Sequence, residues 1–166
     1  MDHNGINILL NRFIETSDVV LLKVIRNLSA YTSSFQFNHN DEQSDDEMAI
    51  RANYSSYHFW DKHSIPIVKL CLNPDNQNQD AVLELLGVLV NLTNQDFPER
   101  MSWYDVLTRY PLLSFIERLL VPGISENDLL LEGIILAGEI CNSNETASII
   151  AASHIIESLE QHWYRD

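Results

Sequence analysis

Glycine and proline are scarce in this chain of 166 residues, with five of each. Sandwiches and small barrels of short strands need many turn residues, so the scarcity disfavours an all-β fold. There are two cysteines. Two lone cysteines make neither a disulfide framework nor a zinc knuckle. Cys71 and Cys141 each lie in an apolar helical context and read as small core residues of a reduced, intracellular protein. Positive charge is also short. Ten Lys and Arg face 24 Asp and Glu, for a net charge of −14. That balance repels phosphate backbones and anionic lipid, so it argues against nucleic acid and membrane surfaces and favours protein partners with basic segments. No apolar run is long enough to span a bilayer, so no membrane insertion is expected. The opening "MDHNGINILLNRF" has no basic region ahead of its short apolar run, so it does not read as a secretory signal.

Catalytic patterns are missing as well. No pair of histidines is spaced H-x-x-x-H; His58 and His63, and His154 and His162, stand too far apart. There is no G-x-S-x-G or G-x-G-x-x-G. "GIILAGEI", from Gly133, has P-loop glycine spacing but carries Glu139 where lysine is needed. No catalytic residue, cofactor or metal is expected, and the chain is not read as an enzyme.

What the chain does have is 45% hydrophobic residues, placed at helical spacing almost throughout. One pattern recurs. In "LLGVLVNLTNQ", Leu85, Leu86, Val88, Leu89 and Leu92 surround Asn91. In "LLKVIRNLSAY", Leu21, Leu22, Val24, Ile25 and Leu28 hold the same places around Asn27. "NDLLLEGIILAGEICN" is a weaker third copy. There Glu139 takes the asparagine's place, Ile134, Leu136, Ala137 and Ile140 match, and Gly133 replaces a leucine.

The second interval nearly fits a helical repeat of roughly 40–47 residues, and the first exceeds it by roughly 20. The excess is the polar stretch "TSSFQFNHNDEQSDDEMAIRANYSS", with Asp41, Glu42, Asp45, Asp46 and Glu47 at its centre. It reads as a solvated insertion. Shorter helical pieces precede each marked helix: "SSYHFWDKH" and "IPIVKLCLNP" before the second, "SWYDVLTRYP" and "LLSFIERLLVPG" before the third. Pro66 and Pro111 sit at helix starts, while Pro74 and Pro122-Gly123 stop helices. "ETASIIAASH" and "IIESLEQHWYR" begin another unit. The order is short helix, medium helix, long helix.

That order is the arrangement of an armadillo repeat, whose short helices are stable only when neighbouring units stack. The fold expected is an all-α, armadillo-type right-handed superhelix, partial at both ends. Its units are a partial repeat at 1–31, an acidic insertion at 32–47, repeats at 48–96 and 97–143, and a partial repeat at 144–166. Ends that look cut from a longer solenoid should expose apolar surface, so self-association of the isolated chain is expected.

Four segments carry a family resemblance. "GINILLNRFIETSDVVLLKVIRNLS" resembles a junction of two repeats in kinesin-associated protein, the non-motor subunit of heterotrimeric kinesin-2. "ELLGVLVNLTNQDFPERMSWYDVL" and "LVPGISENDLLLEGIILAGEICNS" resemble its following segments in the same linear order, and "ASHIIESLEQ" is similar to the start of its next repeat. The run from Leu85 to Glu132 is the most specific. The acidic segment is longer than the family's connection, and the chain holds fewer repeats than the family's solenoid. The resemblance implies a non-catalytic adaptor that binds the tails of the kinesin-2 motor subunits and links them to cargo. It further implies a cytoplasmic, cytoskeleton-associated setting and intraflagellar transport in cilia. Other armadillo adaptors, of import or junction type, are the alternative. Import receptors carry a ladder of Trp and Asn on third helices, and no third helix here carries Trp.

Armadillo third helices line a groove in which an asparagine amide engages an extended peptide. Asn27 and Asn91 resemble that position. Lys23 shares the face of Asn27; Gly87 is its counterpart and would leave the groove open; Glu139 stands in the third asparagine's place. The competing reading is that each Asn ends its helix or bonds a neighbouring repeat. Trp60, Trp103 and Trp163 read as inter-repeat core, with Trp103 the alternative interface anchor if partly exposed. Ser44, opening "SDDE", is either a site for an acid-directed kinase or part of an unmodified solubilising loop. The Asn-x-Ser/Thr triplets at Asn27, Asn53, Asn91 and Asn144 are ascribed to chance.

Overall fold

The computed structural model describes residues 4–34, 63–73, 78–93 and 102–164. Every regular element among them is a helix. In chain order these are α1 (Asn4–Thr16), α2 (Val19–Ser34), α3 (63–71), α4 (Gln79–Thr93), α5 (Trp103–Arg109), α6 (Leu112–Leu119), α7 (Asn127–Ile140), α8 (Asn144–Ala151) and α9 (Ile155–Trp163). Helices α5, α6 and α7 have 7, 8 and 14 residues, which is the short, medium, long order read from the sequence.

The helices fall into rows. Helix α4 packs against α2 on one side and α7 on the other. The short helices α5 and α8 touch, and so do the medium helices α6 and α9. Within a unit, α1 lies on α2 as α6 lies on α7. One core runs through all of it, from Ile6, Leu10 and Phe13 of α1 to Ile150 of α8 and Ile155 of α9. Its centre is α4, where Leu85, Leu86, Val88, Leu89 and Leu92 are fully buried. A helix apolar on nearly all sides must be covered on all sides, and α4 is covered by both neighbours in its row.

Local chemistry sets the corners. Ser17 takes a left-handed φ of 55° between α1 and α2, its N–H bonded to the Phe13 carbonyl at 2.7 Å. Asp18 then accepts from the Val20 N–H at 3.0 Å and starts α2. Ser102 begins α5 with a reciprocal cap: its hydroxyl accepts from the Asp105 N–H, and the Asp105 carboxylate accepts from the Ser102 N–H. Pro111 precedes α6, and the turn beyond it uses Gly123 at φ 85°. Ser143 caps α8, and the Thr146 hydroxyl, buried, donates to the Ile140 carbonyl at 2.6 Å. That bond anchors the start of α8 to the end of α7.

Several expectations need correction. His63 and Ser64 were assigned to the end of one piece and the gap before the next; both are helical and buried within α3. Cys141 is exposed at the end of α7 rather than in the core. Among the described residues Trp163 is 83% exposed, at the end of α9. Trp103 is only 4% exposed, which makes it core and removes it as an interface anchor. Helix α2 runs on to Ser34, into the stretch assigned to the insertion. The rest of that stretch, with Ser44 and the acidic run 41–47, lies outside the described residues, as do Trp60 and Asn53.

Candidate functional site

The row α2–α4–α7 brings the marked positions together. They lie in matching register because each helix packs on the next with equivalent apolar residues: Leu22 and Ile25 on α2, Leu86 and Leu89 on α4, Ile134 and Ala137 on α7. Lys23 and Asn27 are exposed on α2, and Glu139 is exposed on α7. Asn91 differs. It is half-buried, and its Nδ2 donates to the Arg26 carbonyl at 3.1 Å and the Ser29 hydroxyl at 3.0 Å. Ser29, fully buried, donates in turn to the Arg26 carbonyl at 2.7 Å. So Asn91 ties α4 to α2.

Gly87 does not leave an open space, as the sequence reading had it. The Arg26 side chain lies across it: a Cβ added at Gly87 would meet Cζ and Nε of Arg26, with Nη1 at 2.7 Å. From there the guanidinium reaches Glu84 of α4 at 3.7 Å and pairs with Glu132 of α7. Arg26 thus spans three successive helices. The side chains of Glu84 and Glu132 are 12% and 14% exposed, and a carboxylate so placed needs a cationic partner. A side chain at 87 would require the guanidinium to move.

The sequence reading did not find this bridge. Its signal was present: Glu84 and Glu132 stand at one register in two copies of the repeat, beside the glycine. Exposed Leu131 and Ile135 of α7 complete the face beyond the bridge. The face therefore offers an ammonium and an amide on α2, a neutralised bridge over α4, and an apolar and acidic strip on α7. This arrangement suits peptide contact. Among the described residues, no three His, Cys, Asp or Glu side chains converge as a metal site would require. No described helix is long and apolar enough to cross a membrane.

Elsewhere, burial pushes the Cys71 thiol up to about 12, which makes it inert. The Asp105 carboxyl is held below its ordinary range by the Ser102 N–H and hydroxyl and by Arg109. The Glu145 carboxyl is lowered by its own backbone N–H and the Ser143 hydroxyl. These lowered carboxyls sit in the first turns of their helices and serve capping.

A protein-family model described as kinesin-associated protein (KAP) matches residues 64–162, more than half of the chain. That span takes in α4 to α8 entire and most of α3 and α9. No solved structure matches the chain.

Proposed function

The chain belongs to the kinesin-associated protein family, and from that membership we propose that it is a non-catalytic scaffold whose α2–α4–α7 face holds tail segments of the kinesin-2 motor subunits or their cargo. The observation that supports the reading is the row itself: three long helices in one register, within and just before the family-matched span. In this reading the rows are those of an armadillo-type superhelix, with repeats at 48–96 and 97–143, partial repeats at 1–31 and 144–166, and an acidic insertion at 32–47.

Mechanistically, Leu131 and Ile135 give the partner apolar contact. Asn27 offers a donor and an acceptor to its backbone. Glu139 and the chain's overall acidity favour basic residues, so binding weakens as salt rises. Asn91 acts from beneath, by fixing the spacing of α2 and α4. The setting proposed is cytoplasmic and cytoskeleton-linked, and the process microtubule-based transport, including that within cilia.

The test is capture of kinesin-2 tail segments by the full chain, wild type against Lys23→Ala with Asn27→Ala. Both side chains are exposed, so helicity and melting should not change. Several-fold weaker capture by the double variant supports the proposed face. Equal capture removes that face from the reading, and absence of capture by the wild type overturns tail binding for this segment.

A further inference from the structure

An acid-directed serine/threonine kinase selects a hydroxyl by a carboxylate three residues beyond it. A basic pocket of the kinase holds that carboxylate while the segment lies extended. Five hydroxyls in this chain have the spacing: Ser44, Thr93, Ser102, Ser114 and Ser125. Ser44 lies outside the described residues, and the fold sorts the other four.

Thr93 is buried, and its hydroxyl donates to the Val90 carbonyl at 2.7 Å. Ser102 and its carboxylate engage each other. The Ser102 hydroxyl donates to the Asp105 carboxylate at 2.9 Å and accepts from the Asp105 N–H at 3.2 Å. Ser114 is helical, in the first turn of α6. Its carboxylate, Glu117, accepts from the His154 N–H at 3.0 Å and so holds the start of α9. A kinase would have to unwind α6 and break that tie to read Ser114.

Ser125 differs in each respect. It stands outside helix, in the turn that carries Pro122 and Gly123 from α6 to α7. No residue from Val121 to Asp128 is buried. Among the described residues the Ser125 hydroxyl makes no hydrogen bond. The side chains of Glu126 and Asp128, both exposed, make neither hydrogen bond nor ion pair. Asp128 lies in the first turn of α7, whose N-cap residue Glu126 makes no side-chain cap bond. The starts of α5 and α8 are capped by Ser102 and Ser143. An uncapped first turn opens more readily than a capped one, so Ser125 and Asp128 can be drawn out together without disturbing the core.

We propose that Ser125 is phosphorylated by an acid-directed kinase in the folded chain. The Ser125 Oγ attacks the γ-phosphorus of ATP held by the kinase. The new O–P bond forms as the bond to the β,γ-bridging oxygen breaks. ADP leaves, and the hydroxyl proton passes to the kinase's base. The product adds about −1.5 to −2 charges at pH 7. They stand at the head of the exposed α7 strip of Asp128, Leu131, Ile135 and Glu139, and they add to the field that draws basic partners. The modification rests on the turn alone and does not depend on the tail-binding proposal.

The full chain and a synthetic peptide of residues 121–132 are each incubated with magnesium ATP and an acid-directed kinase that is active on an acidic reference peptide. Mass spectrometry maps the sites over time. Phosphate is expected on Ser125 of the folded chain, about tenfold or more faster than on Ser102 or Ser114, whose segments must first open. Asp128→Asn should slow transfer to Ser125 about tenfold, the loss of one charge-assisted contact. Circular dichroism of that variant checks that its fold is intact. Absence of phosphate on Ser125 of the chain, whether or not the peptide is modified, overturns the proposal. So do equal rates for wild type and Asp128→Asn, and so does transfer to Ser125 only after the chain has been unfolded by heat.

Discussion

Replacing Gly87 by alanine sets two effects of known sign against each other. An alanine in a helix interior is favoured over glycine by about 1 kcal/mol, so on propensity alone the variant is more stable. The added Cβ, however, takes the place of the Arg26 guanidinium. If Arg26 is displaced, Glu84 and Glu132 keep their nearly buried positions without their cation. Removing one partner from a fully buried pair costs about 3–5 kcal/mol. Arg26 is itself about one third exposed, so solvent screening brings the loss to about 2 kcal/mol. The expected net effect of Gly87→Ala is a destabilisation of about 1 kcal/mol. With Arg26→Ala already in place, the same substitution should stabilise by about 1 kcal/mol. Urea unfolding of wild type, both single variants and the double variant measures the coupling, expected near 2 kcal/mol. A coupling below about 0.5 kcal/mol would refute the reasoning. It would mean that Arg26 swings clear of residue 87 while keeping its carboxylates, and that the glycine serves something else.

Trp103→Ala should cost about 3–5 kcal/mol in the same assay; a loss under about 1 kcal/mol would return Trp103 to the surface. Native alkylation with iodoacetamide at neutral pH should mark Cys141 and spare Cys71, whose thiol is buried and raised to about 12. Equal labelling of the two by mass spectrometry would contradict the packing around α3. For Asp105 the folded pKa is depressed, so its contribution is present above the unfolded value and is lost as pH falls through the folded one. Amide exchange in α5 should stay protected down to about pH 4 and rise below it. Asp105→Asn should remove that pH dependence, and an unchanged profile would show that another group carries it.

The apolar rhythm around Asn27, Asn91 and Glu139 was enough to place α2, α4 and α7 in one register, because these long helices touch each other through that rhythm. The proline signals at Pro111 and Pro122-Gly123 located the boundary between α5 and α6 and the end of α6 for local reasons that any sequence shows. Asn91 is different. The same asparagine that lies exposed on α2 is engaged on α4, because among the described residues α4 has a long helix before it in the row and α2 does not. Sequence position was equal; neighbours were not. Trp103 and Trp163 divide in the same way, one enclosed by the core and the other exposed among the described residues. The Arg26 bridge was missed because its three members lie on three helices, and no local pattern states which charges meet.

Helix α4 is where the two ends of the molecule communicate. Helices α1 and α2 reach α7 and beyond chiefly through its two faces. One face is fastened by Asn91 to α2, the other by apolar contact with α7, and Arg26 crosses both through Glu84 and Glu132. A pull applied between α1 and α9 is therefore carried through both seams. The first resists sliding because its directional bonds fix register; at the second, apolar contact has no preferred direction, and the Arg26–Glu132 pair is what opposes sliding. Under tension α2 and α4 should move as one body, and the α4–α7 seam should lengthen only once the Arg26–Glu132 pair has parted.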